Sequence, residues 1–240
     1  MKAAERQKEL AARLTAVRRQ LAAACERAGR APGEVTLIAV SKTFPWEDIR
    51  QAYDLGLRDF GENYMQEARR KQEQAAGCAG LRWHFIGHLQ RSKVRYWHSG
   101  FHLLHTLDSL ELAAALDRKA DREGWRLKVL LQVKLGDEVS KSGVAPAALP
   151  SLLAGLRSFP RLEVQGLMTI PPYMVDPEDS REYYRTLREL REQLCREGLV
   201  DPAVFRQLSM GMSHDFAVAV EEGATMVRVG SAIFGARSYA

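Results

Sequence analysis

Two kinds of hydrophobic pattern alternate along the chain. Short runs of aliphatic and β-branched residues, of which VTLIAVSK at 35–42 is the first, are apolar on both faces, as are parallel strands that are covered on both sides. Between these runs, apolar residues recur every three or four positions among charged ones, which is typical of amphipathic helices. The segment Lys2–Arg27 has this helical pattern and precedes the first strand.

Eight strand-like runs are separated by predicted helices. The runs are VTLIAVSK, LRDF, RWHFIG, FHLLHT, RLKVLLQV, LEVQGLM, FRQLSM and TMVRVG. The helices are predicted at 45–53, 65–76, 90–97, 109–123, 146–157, 178–196 and 215–222, with Asp108 capping the fourth. This alternation predicts one domain over residues 1–240, an α/β fold in which a single (β/α)8 TIM barrel carries an extra N-terminal helix. A doubly wound open sheet is the alternative.

The charge pattern narrows the possible partners. The 240 residues carry a net charge of +5, but Lys and Arg are interleaved with Asp and Glu and form no basic block. We expect a mild attraction for anions such as phosphate, and the pattern argues against a nucleic-acid-binding protein.

Cysteine content and hydropathy indicate the compartment. Three widely separated cysteines, Cys25, Cys78 and Cys195, form no CxxC pair, which is typical of a reducing environment. No stretch has the length of apolar sequence that spans a bilayer, and the N-terminus has no uninterrupted apolar segment. We therefore expect a cytoplasmic protein that makes no use of a membrane.

Lys42 stands at the carboxyl end of the first predicted strand. Ligands of parallel barrels sit at that end of the strands. An amine whose stem packs against apolar neighbours is harder to keep protonated, so we expect its pKa to fall and Lys42 to be a candidate for Schiff-base formation. A strand-end lysine that only extends to solvent is the alternative.

Two glycine-containing turns follow the seventh and eighth predicted strands, at 208–213 and 229–232. In barrels a phosphate is commonly held at this place by backbone N–H groups. Glycine allows a close approach of the backbone, and serine adds a hydroxyl donor. Capping of a helix by Ser213 is the alternative.

Arg228 lies inside the eighth predicted strand, two residues before Gly230, and therefore shares its face. If Gly230 faces a phosphate, Arg228 faces the barrel mouth. A buried guanidinium needs an acceptor, which a ring nitrogen or a carboxylate of a ligand could supply. A structural ion pair within the barrel is the alternative.

The six histidines suggest a metal site only weakly. His84 and His88, like His98 and His102, have the i,i+4 spacing of a helix. His84 lies in a strand-like run, however, where that spacing does not direct two rings to one point. No cysteine and no HExxH motif accompanies them, so we expect no metal.

Seven motifs in the same order carry a family resemblance. They are VSKTFPWEDI, FGENYMQEA, WHFIGHLQRSKV, SKSGV, GLMTIPP, LSMGMSHDF and GATMVRVGSAIFGAR. Together they resemble the pyridoxal 5′-phosphate (PLP) homeostasis protein family of the YggS and PROSC type, whose fold is similar to the N-terminal barrel of alanine racemase. The resemblance covers residues 35–237.

The resemblance implies PLP as cofactor and assigns the residues that bind it. Lys42 would form the Schiff base with its aldehyde. Ser209 and the turn at Gly230 and Ser231 would hold its phosphate. Arg228 would face its pyridine nitrogen.

Three further residues complete the implied pocket. Asn63 of the GENY motif would lie near the cofactor ring, and His84 and Met210 would line the pocket. Lys134 departs from the asparagine that the family more often has there, which leaves the polar contacts of the fifth strand open.

Three functions are compatible with these residues. The first is a PLP-binding homeostasis protein without evident turnover, a monomer that could pass PLP to apo-enzymes. The second is a PLP-dependent amino-acid racemase of low efficiency. An arginine at the pyridine nitrogen makes the ring a weak electron sink, and no second domain is expected to supply the opposing acid or base, so the first is favoured. The third is a barrel enzyme whose Lys42 reacts with sugar phosphates.

Overall fold

The structure, a computed structural model, describes residues 2–136 and 142–236. Within these ranges, eight parallel strands form one closed barrel. The strands are β1 (Thr36–Val40), β2 (Asp59–Glu62), β3 (Arg82–Phe85), β4 (Leu103–Leu107), β5 (Leu127–Gln132), β6 (Leu162–Met168), β7 (Gln207–Met212) and β8 (Met226–Val229). The α-helices are α1 (Lys2–Arg27), α2 (Trp46–Asp54), α3 (Met65–Gln74), α4 (Leu110–Glu123), α5 (Leu149–Leu156), α6 (Arg181–Arg196), α7 (Phe216–Glu221) and α8 (Ser231–Phe234).

The first strand closes the barrel by pairing on both sides. Val40 of β1 pairs with Gly61 of β2, and Ala39 of β1 pairs with Val229 of β8, both in parallel. In an open doubly wound sheet, each of the two edge strands would be paired on one side only. The predicted TIM barrel is therefore confirmed, and the alternative of an open sheet is wrong.

Side chains of the strands alternate between two hydrophobic environments. Inward-facing residues of five strands form a small cluster inside the barrel, made of Ile38, Leu103, Leu130, Met168 and Met226. Outward-facing residues such as Ala39 and Leu104 join the larger cluster that the helices cover. The alternation follows from the two-residue period of a strand, and both environments are apolar because helices cover the outer face.

Helix α1 covers part of the outer wall of the barrel. Its apolar residues Leu10, Leu14, Val17, Leu21 and Cys25 are all buried, so the amphipathic helix predicted here is confirmed. Near its start, Arg6 donates to Asp48 Oδ2 at 2.7 Å and to the Phe234 carbonyl at 2.8 Å. These bonds fix the extra helix to α2 and α8.

The link between β3 and β4 differs from the prediction. A 3-10 helix at Arg91–Tyr96 replaces the α-helix expected at 90–97. Val94 is the one buried residue of this segment. The segment therefore lacks the apolar stripe that holds an α-helix against a barrel wall.

Several helix starts are also shifted. Ser109, not Asp108, caps α4, because the Ser109 hydroxyl accepts from the Leu112 N–H at 3.3 Å. Both residue types are good caps, so the sequence alone did not distinguish them. The 3-10 turns Pro146–Ala148 and Pro177–Ser180 precede α5 and α6. Each begins with proline, which is favoured at a helix start because an N–H group there would have no partner within the helix.

Three residues of the sequence motifs, Ser140, Lys141 and Arg237, lie outside the described residues. The site described below is therefore built from the other motif residues. Among the helices in the described part of the chain, none combines the length and the apolar composition needed to cross a bilayer.

Candidate functional site

Lys42 lies at the carboxyl-terminal mouth of the barrel. Strand β1 ends at Val40, and Lys42 follows in the next turn, half-buried. The β1 register sets Val40 beside Gly61 of β2 and Ala39 beside Val229 of β8. Lys42 therefore stands between the end of β2 and the turn that follows β8.

Two backbone N–H groups of that turn converge on a serine from the neighbouring strand. The Gly230 N–H donates to Ser213 Oγ at 3.1 Å, and the Ala232 N–H donates to the same oxygen at 3.3 Å. A Cβ at Gly230 would stand 3.3 Å from Val40 Cβ, so glycine allows this turn to approach β1 closely. We call Ser213, Gly230 and Ala232 the anion cradle, because N–H groups aimed at one point bind anions.

Ser209, which the sequence predicts to hold a phosphate, lies apart from the anion cradle. Its side chain is fully buried. Its hydroxyl accepts from Arg228 Nη1 at 2.6 Å and lies 2.8 Å from His105 Nδ1. Ser213, four residues later, is the serine that meets the two N–H groups of the turn after β8. Ser213 does not cap α7, whose cap position is Asp215, but its hydroxyl accepts the Ala232 N–H in the first turn of α8, so the helix-capping alternative stays open.

The side chain of Met210, which the sequence predicts to line the pocket, lies on the outer face of β7. It belongs to the buried cluster between the strands and the helices. Neighbouring residues of a strand face opposite ways, and Ser209 faces inward.

Arg228 lies inside the barrel with its guanidinium bound to neutral oxygens. Besides Ser209, it donates from Nη2 to the Thr169 carbonyl at 2.8 Å. Within the described residues it forms no salt bridge, so the structural ion pair considered for it is not seen. Burial lowers the pKa of Arg228 to about 10, and the side chain remains a cation at neutral pH.

Below Arg228, a chain of hydrogen bonds crosses the barrel interior. Ser209 contacts His105, His105 Nε2 lies 3.0 Å from His84 Nδ1, and His84 Nε2 lies 2.9 Å from Asp59 Oδ1. Arg82 closes the chain with two bonds to Asp59 at 2.7 and 2.6 Å. We call these residues the interior chain. His84 therefore uses both ring nitrogens inside the barrel and offers neither to the pocket.

The ionisation states determine which group donates in each hydrogen bond of the interior chain. Burial lowers the pKa of His84 and lowers that of His105 well below its usual range. Burial alone would raise the pKa of Asp59, but hydrogen bonds from His84 and Arg82 outweigh it and bring the pKa to about 2. With Asp59 ionised and both histidines neutral, His84 donates to Asp59, His105 donates to His84, and Ser209 donates to His105. Every ring nitrogen then has a partner.

Asn63 brings an unused polar atom to the mouth. It follows the last residue of β2 and lines a cleft of about 230 Å³ with Tyr64, His88 and other residues. Its Oδ1 is buried and has no hydrogen-bond partner in the described part of the chain. Buried amide groups are normally satisfied, so a ligand with a polar ring substituent fits this position.

The structure thus brings Lys42, Asn63, Arg228, Gly230 and Ser231 to one end of the barrel. Sequence reasoning missed the roles of Ser213 and His105. The signal for Ser213 was present, since it lies in the same turn motif as Ser209, whereas His105 stood in an apolar strand with no motif around it. The arrangement suits a ligand that combines an anion, a carbonyl group and a polar ring.

Comparisons with known proteins agree with this geometry. A family model described as the N-terminal domain of alanine racemase matches residues 12–238. The pyridoxal phosphate homeostasis protein of Aquifex aeolicus is 47% identical over 227 residues, which cover 95% of this chain and 98% of the relative. The protein of the same name from Escherichia coli is 44% identical over 236 residues, with 96% and 98% covered.

A solved structure adds a ligand-bound comparison. The structure of PipY from Synechococcus elongatus PCC7942 with PLP bound has a TM-score of 0.81 and 37% identity to this chain. The match covers 94% of this chain and all of the PipY chain. The similarity therefore extends over the whole barrel and is not confined to the mouth.

The neutral histidines of the interior chain predict a pH dependence of stability. Because folding lowers the pKa of His105, its contribution is complete above its unfolded pKa of about 6.5 and is lost as the pH falls below that value. Replacing it by His105→Gln, which removes the histidine whose pKa burial lowers, should reduce the loss of unfolding free energy between about pH 7.5 and about pH 5.5 by roughly 1 kcal/mol. Urea unfolding at both pH values measures this. His214→Gln, at an exposed histidine outside the interior chain, should keep the wild-type dependence; an unchanged dependence in His105→Gln contradicts the prediction.

Proposed function

Because the chain belongs to the pyridoxal phosphate homeostasis protein family, with the alanine racemase N-terminal domain fold, we propose that it binds PLP through Lys42 and takes part in intracellular PLP homeostasis. The observation that carries the proposal is the position of an amine, Lys42, beside the anion cradle at the mouth of the barrel. PLP supplies an aldehyde that a lysine amine captures as a Schiff base with loss of one water. Hydrolysis or displacement by another amine reverses this bond.

The phosphate of PLP fits the anion cradle. A bound phosphate would take over the Gly230 and Ala232 N–H groups, which donate to Ser213 Oγ in this structure. The Ser213 hydroxyl and that of Ser231, exposed beside it, would be further donors. Each hydrogen bond to a charged phosphate oxygen contributes roughly 1.5–3 kcal/mol. These contacts are independent of the Schiff base and should retain the cofactor when that bond opens.

The ring of PLP would be held by two groups of different character. Arg228 is the group proposed to face the pyridine nitrogen, and a permanent cation there disfavours protonation of that nitrogen. The buried amide of Asn63 can form a hydrogen bond to a ring substituent through its unused oxygen, or through its NH₂ group if the amide is rotated. A ring whose nitrogen stays unprotonated is a weak electron sink.

A weak electron sink supports storage and transfer in preference to turnover. We propose that the protein holds PLP as a reactive aldehyde in protected form, acts as one domain and as a monomer, and can release PLP to apo-enzymes. The names of the relatives support this role. The three cysteines, none of them in a disulfide, agree with a reducing compartment, and we place the protein in the cytoplasm.

Borohydride reduction tests the covalent site. After incubation with PLP and reduction, intact mass should show one adduct, and peptide mapping should place it on Lys42. Lys42→Ala should lose the adduct. Lys93→Ala, at an exposed lysine that lines the same cleft as Asn63, should keep it. Modification mainly at Lys93 or Lys141 would refute the assignment.

The phosphate contacts are tested by comparing two ligands. Ser213→Ala should weaken PLP binding by about tenfold, or ~1.4 kcal/mol, and should leave the weaker binding of pyridoxal unchanged, because pyridoxal has no phosphate. Lys42→Ala should keep measurable non-covalent affinity for PLP. Titrations at fixed ionic strength measure both, with the exposed, remote Ser158→Ala as control. Equal affinity of the wild type for pyridoxal and PLP would exclude the anion cradle.

A chiral assay tests the absence of turnover. With PLP bound, we expect no sustained racemisation of common amino acids, because the ring is a weak electron sink and Lys42 can serve only one face of the substrate. Chiral chromatography after long incubation measures the product. Turnover that Lys42→Ala abolishes would favour the racemase alternative.

A further inference from the structure

The turn that carries Lys42 has an unusual backbone. Thr43, the next residue, has φ of +70° and is the one non-glycine residue with positive φ in the described part of the chain. A β-branched residue rarely adopts this conformation, since its side chain crowds the backbone. Such a conformation persists only where surrounding contacts impose it.

Contacts on both sides of Lys42 impose this conformation. On one side, the Thr43 N–H donates to Glu67 Oε1 at 2.6 Å. On the other, the Ser41 hydroxyl donates to Glu62 Oε1 at 2.5 Å. The two carboxylates come from different elements, Glu62 from the end of β2 and Glu67 from the first turn of α3.

Lys71 joins these contacts into one network. Its Nζ donates at 2.7 Å to each of three acceptors, the Ser41 carbonyl, Glu62 Oε1 and Glu67 Oε1. The side chain is almost completely buried, with 5% of the residue exposed. The three donors of an ammonium group are thereby all used, and α3 is tied to the backbone of the Lys42 turn.

We propose that Lys71, together with Glu62 and Glu67, is a positioning network that holds the turn at residues 41–43 and directs Lys42 at the aldehyde of PLP. The inference rests on the proposed function. None of the three side chains is part of the cofactor site described above, so they act through the backbone on either side of Lys42. Loss of the network would let Thr43 relax to negative φ and turn Lys42 away from the mouth.

A second buried lysine provides a matched control. Lys119 donates to Glu123 Oε1 at 2.6 Å and to the Arg95 carbonyl at 3.2 Å. Like Lys71, it therefore bonds a glutamate four residues away and a backbone carbonyl, although its glutamate follows it in sequence and that of Lys71 precedes it. It lies on α4, away from the Lys42 turn. A general effect of removing a buried lysine would appear equally in Lys71→Met and Lys119→Met.

The experiment compares these variants first without cofactor and then with it. In unliganded protein, amide exchange at residues 41–44 should be faster in Lys71→Met than in the wild type, and unchanged in Lys119→Met. PLP titration followed by Schiff-base absorbance should show affinity reduced at least fivefold in Lys71→Met and wild-type affinity in Lys119→Met. If Lys71→Met does not fold, Glu67→Ala, at a partly exposed position, removes the acceptor of the Thr43 N–H and should show the same two changes.

A rescue variant separates positioning from general stability. Glycine adopts positive φ without steric cost, so in Thr43→Gly the turn can keep its conformation without the network. The double variant Lys71→Met/Thr43→Gly should recover most of the lost PLP affinity, although it regains no contact of Lys71.

The outcomes also separate this inference from the proposed function. Wild-type protein that binds no PLP, or binds it away from Lys42, would refute the proposed function. Wild-type binding at Lys42 with unchanged affinity in folded Lys71→Met, or a loss that Thr43→Gly does not restore, would refute the positioning network alone.

Discussion

The pairing of β1 with both β2 and β8 is the constraint on which the site depends. Because the same short strand is hydrogen-bonded on either side, its end carries Lys42 to the point where the β2 end and the β8 turn meet. Gly230 permits this by leaving room for Val40. An open sheet with the same strands would separate the amine from the anion cradle. Closure of the barrel thus does more than bury apolar surface, since it brings together the two halves of the proposed cofactor site, Lys42 and the anion cradle.

The barrel interior contains an apolar cluster and a polar one. The polar cluster determines which groups accept hydrogen bonds from Arg228. A carboxylate partner would neutralise the guanidinium and lower its effect on a ligand. Instead Arg228 is held by a serine hydroxyl and a backbone carbonyl. The carboxylate of the interior chain, Asp59, lies at its far end and is satisfied by His84 and Arg82. Two neutral histidines separate the charges and fix the orientation of Ser209.

Much of this arrangement could be predicted from the sequence, for physical reasons that also explain the failures. The periods of two and 3.6 residues determine strands and helices, and strand ends determine where Lys42 and Gly230 lie. The alternation holds at Ser209 and Met210 but not to the end of β7, where the register with β8 shifts between Ser209 and Met212 and Gly211 has φ of +88°. That irregularity brings Ser213 to the anion cradle. The bonds among His84, His105 and Ser209 join strands distant in sequence, and a single sequence contains no local signal for such contacts.

The position of the two halves of the site at opposite ends of the chain has a consequence for biosynthesis. Lys42 follows the first strand to leave the ribosome, whereas Gly230 and Ala232 follow the last. A nascent chain therefore has its amine long before it has the anion cradle, and the amine in that state differs little from any other exposed lysine. Contacts so distant in sequence form late in folding. Under the proposed function, capture of PLP with phosphate recognition would therefore be reserved for the finished barrel.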